Sequence, residues 1–169
     1  MNLYIRIAFM LHINIICLGK LKEKYWREAT DEYLKRLSPF AKVEIKELKE
    51  ESFGEKSGPI TVKQNEALKI KAVLVGHADD FIIILDEHGK QFSSVDFSNL
   101  ISSSSNTSLS SSISFILGGP LGLDESILKI ADLKLSLSAM TFTHQMARVF
   151  LLEQIYRAMM IANGRKYHY

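Results

Sequence analysis

The sequence predicts an α/β fold, a mostly parallel sheet with flanking helices. Three observations carry that prediction. Short apolar, β-branched runs alternate with longer stretches of helical period. The run Phe81-Ile-Ile-Ile-Leu85 is continuously apolar, as in a strand covered on both faces. Two apolar runs lead into loops of small residues, at 118–122 and 137–142, and loops of that kind at strand carboxyl ends build ligand sites.

Each element can be justified in order. Residues 12–18 read as the first buried strand. Residues 20–37 read as a helix, because Leu21, Tyr25, Ala29, Tyr33 and Leu37 recur every four positions with Trp26 beside them. Ser38-Pro39 ends that helix. Residues 42–48 alternate imperfectly as a short strand, and the charged stretch 49–59 reads as a loop. Residues 61–76 form a helix with Gly76 as its expected cap. Residues 86–89 read as a turn after the 81–85 strand. Ser94 opens a capped helix that fades into the serine-rich stretch 102–112, expected to be a solvated, mobile linker. Residues 113–117 resume the sheet, 124–130 form a short helix and 133–137 a strand. The last helix spans 143–162.

Composition narrows the class. The chain has 169 residues, 47% hydrophobic and 24% charged, with a net charge of +2. That is one ordinary domain, expected over residues 12–169 with an N-terminal extension at 1–11. The slight positive charge permits an RNA partner without arguing for one. Cys17 stands alone in an apolar run and reads as a buried thiol in a cytoplasmic protein. No His/Cys cluster has zinc spacing, so no metal is expected. The apolar stretch 3–18 is too short and too interrupted for a membrane span. It also lacks a small-residue cleavage site at 19–24.

Chemistry concentrates in the C-terminal third. Gly118, Gly119 and Gly122 fall within five residues, stiffened by Pro120. Their spacing matches neither the dinucleotide fingerprint nor a phosphate-binding loop. The last helix is apolar around most of its circumference, so it needs cover on every side, which a partner subunit could supply. His144 and Arg148 share one of its faces, and Glu153 and Arg157 read as a structural ion pair.

Four segments together carry a family resemblance: Gly118-Gly-Pro-Leu-Gly122, the stretch from Leu135-Ser-Leu-Ser-Ala-Met to Thr143-His-Gln-Met-Ala-Arg-Val149, Glu153-Gln-Ile-Tyr-Arg-Ala158, and the terminal Tyr167-His168. Gly19-Lys-Leu-Lys-Glu-Lys-Tyr-Trp26 adds to them. The chain resembles the ribosomal RNA large subunit methyltransferase H family of the SPOUT, or α/β-knot, superfamily. The resemblance implies a C-terminal deep trefoil knot, a homodimer, and S-adenosyl-L-methionine bound in the knot. It also implies methyl transfer to N3 of a pseudouridine in helix 69 of 23S rRNA on the assembled ribosome. Cofactor contacts would fall on Leu85, Gly118, Leu137, Ser138, Ala139, Met140, Thr141 and Phe142. His144, Arg148, Tyr167 and His168 would be the catalytic candidates. Arg157, Arg165 and Lys166 could meet RNA phosphates. A knotted methyltransferase acting on another RNA such as tRNA, or a non-catalytic ribosome-binding factor, would share many of these features. Intact glycines and an unbroken 137–142 loop favour an enzyme.

Overall fold

The computed structural model describes residues 10–52, 58–107, 112–165 and 167. Along the chain come β1 (Leu11–Leu18), α1 (Lys24–Leu37), β2 (Ala41–Leu48), α2 (Pro59–Leu74) and β3 (Phe81–Lys90). Then follow α3 (Ser94–Thr107), β4 (Ser112–Leu117), α4 (Glu125–Leu128), β5 (Leu133–Leu135) and α5 (His144–Ala162). The strands form one sheet in the order β2-β1-β4-β3-β5, and every pairing is parallel. All five carboxyl ends therefore lie along one edge.

Two cores explain why these strands are so apolar. On one face Ile13, Ile15, Ile113 and Phe115 pack with Leu37 of α1, Phe97 and Ile101 of α3, and Leu151, Leu152 and Ile155 of α5. On the other, Ile16, Leu18, Ile84 and Ile116 meet Ala67, Ile70 and Leu74 of α2 and Ile127 of α4. A parallel sheet needs such cover on both faces, because its crossover connections run there.

Several expectations shift at the edges of elements. β1 begins at Leu11, which is buried and pairs with Ala41, so the strand reaches one residue into the expected extension. Residues 1–9 of that extension lie outside the described residues. α1 starts at Lys24 rather than 20, because residues 20–23 are held outside the helix: Arg27 donates to the Leu21 and Lys22 carbonyls at 3.0 and 2.8 Å. Gly76 is not a left-handed cap. It lies in a 3-10 turn, Val75–His77, that continues α2. The serine-rich stretch is a helix as far as Thr107. Phe97 and Ile101 anchor it four residues apart, and Ser98 donates to the Ala158 carbonyl at 2.8 Å. Tertiary packing of that face overrides the weak helical preference of serine. Residues 108–111 lie outside the described residues.

The expected turn at 86–89 is instead an irregular continuation of β3. Leu135 is the register partner of both Leu85 and Lys90, so the four intervening residues bulge out of the ladder. Gly89 makes the bulge possible. A Cβ there would lie 2.7 Å from the backbone of Lys134 and Leu135. β5 stops at Leu135, two residues before its expected end, because the chain then turns on its own serines.

Candidate cofactor cleft

At the carboxyl ends of β3, β4 and β5 the loops enclose a cleft of about 1010 Å³. Its apolar wall includes Leu85, Leu117, Leu123 and Leu135. Its floor is the stretch from Gly118 to Gly122, where the Gly122 N–H donates to the Gly119 carbonyl at 3.0 Å and closes a tight turn. α4 follows, capped by Asp124, whose carboxylate accepts the Ser126 N–H at 2.8 Å. Hydrogen bonding from the Ser126 side chain, and then from its N–H, holds the Asp124 carboxyl below its usual range.

The opposite wall is the loop after β5. Ser136 ties it to β3 by donating its N–H to the Lys90 carbonyl at 3.0 Å. The Ser136 hydroxyl donates to the Ser138 carbonyl, and the Ser138 hydroxyl accepts the Met140 N–H at 3.0 Å. Thr141 donates to Glu87 on the β3 bulge at 3.1 Å. The loop is thus shaped by its own small side chains and offers backbone to a ligand without charged groups. Thr143 then caps α5 by accepting the Met146 N–H.

Seven of the eight expected cofactor residues line this one cleft: Leu85, Gly118, Leu137, Ser138, Met140, Thr141 and Phe142. Ala139 lies in the same loop but off the lining. His144, the first residue of α5, also faces the cleft. The cleft suits a cofactor with a flat apolar ring and polar edges, because leucines can sandwich the ring while amides and carbonyls read the edge.

The other expected residues are placed elsewhere. Arg148 is 1% exposed and off the cleft. Its guanidinium donates to Glu47 at 2.5 Å and to the Gly19 carbonyl at 2.9 Å, which braces α5 against β2 and the turn after β1. With its charge paired to Glu47, the buried Arg148 holds the frame of the site. Arg157 pairs with Glu153 at 2.6 Å, as the four-residue spacing implies. Tyr167 and Arg165 pack back on the chain. The Tyr167 ring meets Tyr156 at 5.0 Å, with the Arg157 guanidinium 4.9 Å from its centroid. Arg165 sits over Phe40 at 5.1 Å. Phe40 immediately precedes β2, at the amino edge of the sheet, so Arg165 and Tyr167 lie at the edge opposite the cleft. Lys166 and His168 lie outside the described residues.

Four lining residues, in two pairs, stand out among those that sequence reasoning passed over. Tyr25 and Trp26 at the start of α1 border the cleft, with their ring centroids 5.0 Å apart. Their four-residue helical repeat made them look like core, yet Tyr25 is 59% exposed. Glu87 and His88 reach the cleft only because the bulge turns them there. No spacing signal announces a bulge.

An all-parallel α/β sheet with a ligand cleft at its carboxyl edge, walled by bare backbone, defines a class of small-molecule-binding enzyme folds. Comparison with known proteins narrows it. The family described as "Predicted SPOUT methyltransferase" matches residues 11–168. The "Ribosomal RNA large subunit methyltransferase H" of Clostridium botulinum (strain Kyoto / Type A2) is 43% identical over 162 residues, 94% of this chain and 99% of that one. The protein of that name from Carboxydothermus hydrogenoformans is 42% identical over 161 residues, with the same coverage. Among solved structures, a probable methylase family protein from Haemophilus influenzae Rd KW20 shares the fold at a TM-score of 0.52 and 11% identity. That match covers 93% of this chain and 70% of that one. The chain belongs to the SPOUT methyltransferase family.

Proposed function

We propose that this chain is an S-adenosyl-L-methionine-dependent methyltransferase acting on ribosomal RNA. Its target is N3 of a pseudouridine in helix 69 of 23S rRNA on the assembled ribosome. It acts in the cytoplasm as a homodimer, with its C-terminal segment threaded as a trefoil knot. The observation that carries this reading is the coincidence of seven expected cofactor positions in one cleft. The relatives' shared name supports the ribosomal substrate.

The cofactor supplies a methyl group on an already activated sulfonium, so the protein's tasks are orientation, proximity and removal of a proton. The 137–142 loop and Gly118 position the adenosyl part, with Leu85 against the ring. His144 stands at the cleft as the group that handles the N3 proton. The tail residues Tyr167 and His168, with Arg165 and Lys166, serve a cleft in the partner subunit; what supports this is that Arg165 and Tyr167 pack at the edge of the sheet away from their own cleft. There an aromatic, basic segment can stack on a base and meet phosphates together.

Calorimetry tests the first step. Wild-type protein binds S-adenosyl-L-methionine, and Gly118→Val loses that binding while keeping its far-UV circular dichroism. A Cβ at Gly118 already stands 3.0 Å from Leu123, so further branching must intrude on the cleft or displace its wall. An absence of binding heat for the wild type refutes the reading. Mass mapping of rRNA from cells lacking the protein then identifies the nucleotide, and an unmodified tRNA position instead redirects the substrate.

A further inference from the structure

Behind the cleft, two buried polar atoms face each other without partners. The Nε2 of His144 and the Oε1 of Glu50 are sealed from solvent, and neither has a hydrogen-bond partner among the described residues. They lie 3.7 Å apart. Glu50 follows β2, and His144 opens α5, so the fold brings together residues 94 positions apart in sequence. The fold also makes room for this carboxylate. A Cβ at Gly19 would run into the Glu50 carboxyl, and Gly19 adopts φ +83°.

The neighbouring charges are already engaged. Glu66 accepts the Glu51 N–H at 3.0 Å. Glu51 pairs with Lys69. Arg148, one turn along α5, is bound to Glu47 and the Gly19 carbonyl. Of the Arg148 guanidinium only Nε stays unpaired, and Glu50 and His144, 3.7 Å apart, are the carboxylate and imidazole left facing each other. A buried carboxylate oxygen and a buried ring nitrogen are both costly when unpaired, and a side-chain shift of under about 1 Å joins them in a normal hydrogen bond.

We infer that Glu50 is a positioning residue for His144: it accepts the Nε2–H and so fixes the imidazole as the tautomer whose Nδ1 carries the free lone pair. This rests on the methyl-transfer reading for its use, though not for its existence. His144 lines the cleft while Nε2 is its sealed atom, so Nδ1 is the ring nitrogen left for chemistry. As the N3–methyl bond forms and the methyl–sulfur bond breaks, the N3–H proton passes to Nδ1. The sulfonium becomes a neutral thioether, and the positive charge moves to the imidazolium. Glu50 then faces that new charge. A second carboxyl-bound nitrogen of this kind is the usual way a histidine base is oriented.

The test begins with the protein alone. Long-range ¹H–¹⁵N correlation spectra at pH 8, in the absence of cofactor and RNA, report the His144 tautomer. The expected result is Nε2–H in the wild type and in Glu50→Gln, whose amide oxygen still accepts. Glu50→Ala is expected to give a tautomer mixture. In methyl-transfer assays Glu50→Ala lowers kcat by about tenfold or more with the cofactor Kd unchanged, and Glu50→Gln recovers part of the loss. An Nδ1–H ring, or a ring protonated on both nitrogens at pH 8, overturns the inference. So does a tautomer indifferent to Glu50→Ala. A correct tautomer in a protein that methylates no RNA instead counts against the functional reading and leaves the pair standing.

Discussion

At the scale of single residues, the structure separates positions that tolerate change from those that do not. Gly89 is of the second kind. Its Cβ would strike the β5 backbone, so Gly89→Ala must push β5 and the attached 137–142 loop outward. We expect a loss of about 1–3 kcal/mol in urea denaturation, typical of over-packing, together with weaker cofactor binding. Cys17 offers a pH readout. Burial in an apolar strand is the main cause that lifts its thiol from 9.0 to about 11, and nearby Arg148 only partly offsets it. Between those values the folded protein holds a proton that the unfolded chain has released. Its stabilising effect is full below pH 9 and is lost as pH rises toward 11. Denaturation midpoints should therefore fall over that window, and Cys17→Ala should flatten the fall. Thiol labelling at pH 7.5 should also require unfolding.

At the scale of elements, α5 holds most of the argument. Its sequence looks apolar all round, and the structure shows where that surface goes. Leu151, Leu152, Ile155, Ala158 and Met159 are buried against the sheet, α1 and α3. Tyr156 is covered within the chain, by Tyr33, Phe40 and Tyr167. Phe150 is different. It remains 38% exposed and meets the ring of Phe142, a cleft-lining residue, at 4.9 Å, and Met140 in the same loop as Phe142 is 72% exposed. That strip is the part of α5 left for the proposed partner subunit. Phe150→Asp should dissociate the dimer in sedimentation velocity while leaving far-UV circular dichroism intact, because an exposed site tolerates a charge but an interface does not. A wild-type monomer at micromolar concentration would refute the dimer.

At the scale of the whole molecule, α5 carries the chain from one sheet edge to the other. Nineteen residues of helix span about 28 Å, which separates the cleft at its start from Arg165 and Tyr167 beyond its end. Deleting residues 165–169 should preserve cofactor binding and dimerisation while abolishing methyl transfer to ribosomes. Unchanged transfer by the truncated protein would make the tail a bystander. Mixing tail-deleted subunits with subunits carrying Gly118→Val should restore part of the activity if one subunit's tail serves the other's cleft.

The sequence by itself determined the alternation of strands and helices, and the two small-residue loops that became the cleft. These are local signals: period, branching at Cβ, glycine and proline. The residues of the 137–142 loop were legible because their neighbours in sequence are also their neighbours in space. Tertiary structure alone decided the rest. Arg148 shares a helix face with His144, yet it turned inward, because Glu47 and the Gly19 carbonyl wait there from β2 and the turn after β1. Gly89 sits at a bulge because β5 returns to pair with both sides of it. Glu50 meets His144 because parallel strands gather all their carboxyl ends at one edge. Such contacts join residues tens of positions apart, and no periodicity within a window of sequence can encode them.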